Sequence, residues 1–514
     1  MNSPSTPTGL CRSTRTEAQF SQTEALHAEA PAVAAGASAF SRSSLRGFTE
    51  DASRRVTGVW NHVYDTQRKL TRTATMTQHP HSSYSQQYPH GGPSRPAWYA
   101  PSAGPIQQAP SGQLTGASGI AYPTVSRPDG STGELVRIIL ASIAIGLLGF
   151  GLLLIILFQS LTFIGLGILI VLLSLVPMAF IFLVVLWFNR WKKRNPVWLV
   201  LPLLWGAVMA IVFTIVVQTL GFLGSTLVIG FDSSQSLFDL LYPVLGAPPI
   251  EEGAKGIYLA VFALAARRHF TGPLDGFIYG SLVGAGFAFT ENLQYLSASF
   301  DEGQFAGLAI TFVLRGIVSP LSHSLFTAVA GVAIGFAAAR WQWWAAILAW
   351  PLGWSVGTFL HALWNFMAGA VGGLGIVGLL IIVGLALVYA VIWYSLAFVL
   401  RWLEVRKDRA MLDEYRQAGW LTPAEVDTFG SWRGRRQGKG WASGYPGASA
   451  TFKKMVRTSI DLANARQRIN VHAGGQAERE REMKLLTDFA TQRTQLMNSV
   501  NSAHSYQAHY PGAY

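Results

Sequence analysis

The sequence predicts an all-α integral membrane protein: a bundle of about eight transmembrane helices between a disordered N-terminal tail and a helical, cytoplasmic C-terminal region. Three observations predict it. Half of the 514 residues are hydrophobic and only 13% are charged, a balance too apolar for a soluble chain of this size. The apolar residues concentrate between Leu135 and Leu400, in runs long enough to cross about 30 Å of hydrocarbon. The loops between those runs alternate in charge, as the positive-inside rule requires.

Residues 1–134 are rich in Ser, Thr, Pro, Gly, Gln, His and Tyr and show no sustained apolar period. Such a segment cannot bury enough surface to offset chain entropy, so a disordered cytoplasmic tail is expected. It holds no apolar stretch of a cleavable signal peptide, which leaves insertion to the first membrane helix. Composition shifts at Met76, which marks a candidate true start.

The spans read as 136–157, 162–187, 197–220, 242–265, 274–298, 308–338, 343–369 and 374–400. Asn189 to Arg194 (NRWKKR), Arg267 and Arg268, Arg340 and the Arg401 to Arg409 cluster fall on one side; the opposite loops hold Asp232, Asp239, Asp301 and Glu302. This asymmetry predicts a multi-pass cell-membrane protein with both termini cytoplasmic. Trp198, Trp341, Trp343 and Trp344 lie near span ends, where interfacial anchors are expected. The net charge of +12 is accounted for first by topology and anionic lipid, so no nucleic-acid partner is expected. The single cysteine, Cys11, excludes an intramolecular disulfide and a thiolate metal cluster.

Residues 401–514 are basic and helical in pattern, with stretches at about 450–470 and 477–500 separated by Gly474 and Gly475. Thr422, Pro423 and Glu425 form a capping-box start for a further short helix. The charge runs of this region fit a solvated appendage first and a docking site for a cytoplasmic partner second.

Ionisable groups inside hydrocarbon are costly unless paired or wet, so each one retained there is a functional candidate. Five stand out: Glu251, Glu252, Glu291, His323 and His361. Glu251 and Lys255, Phe287 and Glu291, Ser319 and His323, and His361 and Asn365 are each four residues apart, and therefore share a helix face. Any one pair reads most simply as a packed histidine or a neutralised ion pair. Four pairs at a similar depth, counted from the basic flank of each span, read as a site. Two adjacent carboxylates in low dielectric do not both ionise easily, which leaves one as a usable general base. His361 and Asn365 suit donation to an oxyanion, and the same groups would also supply N and O ligands to a divalent metal.

At these residues the sequence resembles the PrsW family of intramembrane proteases, itself related to the type II CAAX prenyl endopeptidases. The motif EExxK maps onto Glu251, Glu252 and Lys255, and FxxxE onto Phe287 and Glu291. An isolated His maps onto His323, and the final His with a polar residue four positions on maps onto His361 and Asn365. The last position is commonly Asp in the family, whereas Asn365 looks like the CAAX endopeptidases. The resemblance implies a PrsW-like protease domain over 135–400 that cleaves membrane-embedded or membrane-anchored proteins within the lipid bilayer, an anti-sigma factor among them. It implies Glu251 as general base with Glu252 as helper, Glu291 and His323 lining the site, and His361 and Asn365 stabilising the oxyanion. Arg315 is expected to pair with an acidic loop residue or to reach the outer interface. The cofactor stays open: zinc on His323, His361 and Glu291 is one reading, and a glutamate-activated water without metal is the favoured one. A transporter or channel, and a non-catalytic scaffold of the kind found in gamma-secretase, remain as other classes.

Overall fold

A computed structural model describes residues 130–162, 166–192, 195–266, 269–340, 343–471 and 475–509. The N-terminal tail, Met76, Arg194, Arg267, Arg268, Trp341 and Gly474 lie outside the described residues. Among the described residues every regular element is helical. The membrane region comprises α1 (Gly130–Thr162), α2 (Gly167–Asn189), α3 (Val197–Leu204), α4 (Ile211–Ile229), α5 (Phe231–Leu241), α6 (Ala247–Ala265), α7 (Pro273–Phe312), α8 (Ser322–Arg340), α9 (Trp343–Val371) and α10 (Gly375–Gln417). The C-terminal region adds α11 (Pro423–Phe429), α12 (Trp432–Ala442), α13 (Ala448–Asn470) and α14 (Gln476–His509).

By length and apolar composition, six described helical stretches are able to cross a membrane. That is two fewer than the sequence spans, for identifiable reasons. Pro273–Ala339 counts as one stretch although it holds two of those spans. Helix α6 is left out of the six, and it carries Glu251, Glu252 and Lys255. The chain breaks inside Pro273–Phe312 at Gln304, whose φ of 51° is a left-handed conformation that ends a helix.

The expected single span at 308–338 is also interrupted. A wide π-helical segment, Val313–Val318, is followed by Ser319 outside helical geometry, and α8 starts only at Ser322. Pro320 explains the break, because it offers no N–H and disfavours a helical residue before it. Two further π-helical segments, Trp205–Ala210 and Tyr242–Gly246, lie between α3 and α4 and ahead of α6. Helix α10 runs on past the expected end near Leu400, so its 43 residues extend beyond one bilayer thickness.

Helices α6, α7, α8 and α9 form the centre of the bundle. Small residues set their spacing. On α7, a Cβ added at Gly276 would lie 1.8 Å from the Gly331 oxygen, at Gly280 2.7 Å from the Ala328 Cα, and at Gly284 2.3 Å from the His323 oxygen. This four-residue repeat lets α7 and α8 touch backbone to backbone, the means by which helices associate without a hydrophobic drive in lipid. On α9, Gly357 meets Phe326 of α8 in the same way. The large apolar residues Leu140 and Leu147 of α1 and Leu380 and Val391 of α10 face outward, as lipid-covered surface does.

Trp198 corrects one expectation: it is 4% exposed and packs on Phe262 and His269 within the bundle, rather than facing an interface. Trp344 is half exposed. Lys192, between α2 and α3, binds Asp275 at 2.8 Å and Glu404 at 3.2 Å, tying the start of α7 to α10. Beyond that network, α11 to α14 enclose a second core around Leu412, Tyr415, Phe429, Phe452 and Phe489. Helices α13 and α14 pack on each other as a hairpin, and α11 starts at a capping box in which Thr422 and Glu425 bond reciprocally.

Candidate active site

Glu251 and Glu252 project from the first turns of α6, where Pro248 and Pro249 begin the helix with no need of an N–H donor. Two indoles hold that helix in place: Trp354 Nε1 donates to the Pro249 oxygen and Trp205 Nε1 to the Ala254 oxygen. Lys255 lies one turn on and reaches back between the carboxylates. Its ammonium donates to Glu251 Oε2 at 3.2 Å and Glu252 Oε1 at 2.8 Å. It also lies 3.3 Å from His323 Nδ1 and 3.6 Å from the centre of the Phe287 ring. Adjacent residues on a helix point about 100° apart, and a lysine at i+3 and i+4 is the side chain that reaches both.

His323 sits in the first turn of α8, beside the close approach at Gly284. Its Nε2 is 2.7 Å from Glu291 Oε2. Glu291 also receives Arg315, whose Nε donates to Asn292 Oδ1 at 2.9 Å and whose guanidinium lies 3.9 Å from the Tyr295 ring. Arg315 is therefore turned to an intramembrane glutamate, not to a loop acid or the interface. His361, on α9, places Nδ1 3.2 Å from Glu252 Oε1 and Nε2 3.9 Å from Glu251 Oε2, and stacks on Phe326. Thr327 donates to the second oxygen of Glu252 at 2.9 Å.

Five of the six residues expected to be catalytic thus lie in one linked cluster drawn from four helices: Glu251, Glu252, Glu291, His323 and His361. Asn365 stands apart from their hydrogen bonds, donating to the Pro243 oxygen at 2.7 Å. It does line, with Glu291, Arg315, His323 and Trp364, a cavity of about 390 Å³ that opens beside the cluster. Sequence reasoning passed over Thr327, Asn292, Tyr295 and Phe326. Thr327 carried a signal, since it follows His323 by four residues and Gly331 and Gly335 continue the stripe. Asn292 and Tyr295 carried none, because their role is to hold Arg315, whose partner was unknown.

The model of the PrsW family intramembrane metalloprotease matches residues 194–396. Over these residues the chain is similar to that family. Curated relatives include Protease PrsW of Clostridioides difficile (strain 630), 33% identical over 101 residues, which are 20% of this chain and 40% of that protein. Protease PrsW of Geobacillus kaustophilus (strain HTA426) is 30% identical over 140 residues, covering 23% of this chain and 58% of that protein. The chain thus spans about half the length of the curated relatives it matches. No solved structure matches it.

Similarity to a metalloprotease family raises the question of whether this site fits a metal. Ligand atoms of Glu251, His323 and His361 all lie within 4.8 Å of one another, in a buried setting. Each imidazole has a carboxylate on its far nitrogen, Glu291 on His323 and Glu252 on His361. That is the supporting arrangement usual for ligating histidines, fixing the ring and leaving the other nitrogen for a cation. The donor set fits a divalent ion. It differs from the expected set in one member: Glu251 takes the place of Glu291, which supports His323 from behind.

Proposed function

We propose that this chain is an intramembrane endopeptidase that hydrolyses peptide bonds of membrane-embedded or membrane-anchored proteins. One observation carries the reading: three glutamates and two histidines from four helices converge, buried, beside a cavity large enough for a short unwound peptide. A solely structural role does not call for so many ionisable groups at one point in hydrocarbon. The names of the curated relatives point the same way. Cleavage of an anti-sigma factor, with release of a transcription regulator, is the finer proposal for the substrate.

In this reading Glu251 is the general base. Its Oε2 faces Lys255 and His361, and its other oxygen takes the proton of the attacking water. Glu252 positions His361 and is itself fixed by Thr327; Glu291, backed by Arg315, positions His323. Lys255 balances the charge of the paired carboxylates. Glu251, His323 and His361 would hold a divalent cation, which when bound would polarise the scissile carbonyl and acidify a water. Where no ion is held, His361 Nε2 would instead be presented to the carbonyl oxygen where negative charge develops.

The orientation proposed from loop charge puts both termini in the cytoplasm. Cysteines placed at Ser225 and Gly303 should then label from outside intact cells, and one at Ser443 only after permeabilisation; the reverse pattern would invert the topology. The function itself is tested by trapping. A Glu251→Gln variant should retain an uncleaved membrane protein that mass spectrometry identifies and that the unmodified enzyme cuts in proteoliposomes. If no protein retained by the variant is cut by the active enzyme, the protease reading fails.

A further inference from the structure

We infer that Lys255 is a built-in competitor for a divalent cation: its ammonium and the ion are alternative occupants of the same donors. This rests on reading Glu251, His323 and His361 as the cation-holding set. Two of those three touch Lys255 directly, Glu251 Oε2 at 3.2 Å and His323 Nδ1 at 3.3 Å. His323 Nδ1 is the nitrogen left for a metal, because Nε2 is committed to Glu291. The lone pairs an ion requires are thus the ones that receive the ammonium. The Lys255 side chain is wholly buried, and two positive centres at such spacing in low dielectric exclude each other.

The structure also supplies a place for the displaced ammonium. Glu252 Oε1, at 2.8 Å, and the face of Phe287, at 3.6 Å, lie outside the donor set. Both attract a cation, one as a carboxylate and one through the ring quadrupole. Lys255 exchanges contacts within its own turn of helix: in the ion-free state it bridges both glutamates and His323, and in the loaded state it keeps only Glu252 and Phe287. The pairing makes the ion-free site stable, since the neighbouring carboxylates never face each other without a cation.

The test is zinc affinity, measured on the full chain in lipid nanodiscs by competition with a chromophoric chelator, with no substrate present. Lys255→Met and Lys255→Gln should each bind zinc at least about tenfold more tightly than the wild type, and Lys255→Arg should not. Zinc should raise the melting temperature of Lys255→Met more than that of the wild type, which keeps the test readable if the ion-free variant folds poorly. Arg315→Met separates occupancy from charge at a distance, because Arg315 contacts Glu291 and none of the three donors. Its gain should be much the smaller. An unchanged or weaker affinity in both neutral variants, or an equal gain in Arg315→Met, would overturn the competition. Zinc binding absent from the wild type and every variant, or indifferent to Glu251→Gln, would overturn the donor assignment itself, and the competition with it.

Discussion

The membrane core and the C-terminal region both bury ion pairs, yet they arrange them in opposite ways. In the C-terminal region two guanidiniums, those of Arg435 and Arg493, each close on a single carboxylate. Arg435 and Asp408 are each 1% exposed and pair at 3.1 Å, with Arg435 Nε also donating to the Phe429 oxygen. Glu425 receives Arg493 at 2.7 and 2.8 Å through both oxygens. In the membrane core three carboxylates share Lys255 and Arg315, with two imidazoles bridging them, and the cluster borders a cavity. Charges that satisfy each other one to one hold a fold together. Charges gathered in unequal number around open space have capacity left for a ligand or a reaction. Burial alone therefore does not distinguish a structural ion pair from a working one; stoichiometry and adjacent volume do.

The largest expected effect tests the working side of this contrast. Glu251→Gln and Glu291→Gln should each lower cleavage of a membrane-anchored reporter by about 10²- to 10⁴-fold at equal membrane abundance, because both keep shape and remove charge. Normal cleavage in both variants would place the cluster with the structural pairs.

Arg435→Met tests the structural side. It leaves Asp408 buried without its guanidinium, a change that costs about 3–5 kcal/mol. Limited proteolysis should then open α12 and α13 at lower temperature. Cleavage per folded molecule should stay near the wild-type level. A loss of turnover with no loss of protease resistance would show that the C-terminal region acts on the site rather than merely standing on it.

How much of this was legible in the sequence follows from range. The spans, the charged residues inside them and their four-residue spacing are local, and so could be read from composition and helix period. The motifs EExxK and FxxxE are local too, and both fall on elements that meet. What escaped was decided between helices. The Pro320 break inside the expected 308–338 span was missed because a hydropathy run registers length, not a turn inside it. Trp198 went to the core because its fate depends on Phe262 and His269, sixty or more positions away. Glu251 rather than Glu291 joined the two histidines for a similar reason. Sequence spacing places each residue on its own helix face and says nothing of which nitrogen of His323 meets which acid.

A smaller effect is expected at Asn365, expected on sequence grounds to act on the oxyanion. Its amide is engaged with the Pro243 oxygen, so Asn365→Ala should remove one hydrogen bond, worth about 1 kcal/mol of stability. Turnover should fall by less than about tenfold. An oxyanion donor would instead cost about 10²- to 10³-fold. That larger loss, with KM unchanged, would mean that the amide leaves Pro243 during the reaction and would move Asn365 from the structural to the working group.

The smallest effect lies at the capping box of α11. Thr422 Oγ1 accepts from the Glu425 backbone at 3.2 Å, while Glu425 Oε2 accepts from the Thr422 backbone at 2.8 Å. Thr422→Ala removes the first bond and the 3.1 Å donation from Thr422 Oγ1 to Glu425 Oε2, while the Glu425 carboxylate stays fixed by Arg493. The expected loss is about 1 kcal/mol, the usual value of an N-cap side chain, and Thr422→Ser should recover most of it. The measurement is amide exchange across Pro423–Phe429 in nanodiscs, since a seven-residue helix frays locally before the region around it unfolds. A loss several times larger would mean that the cap, the Arg493 pair and the second core open as one unit. The Glu425–Arg493 pair would then share the cooperative wiring of the membrane site, and its contrast with the convergent cluster would no longer hold.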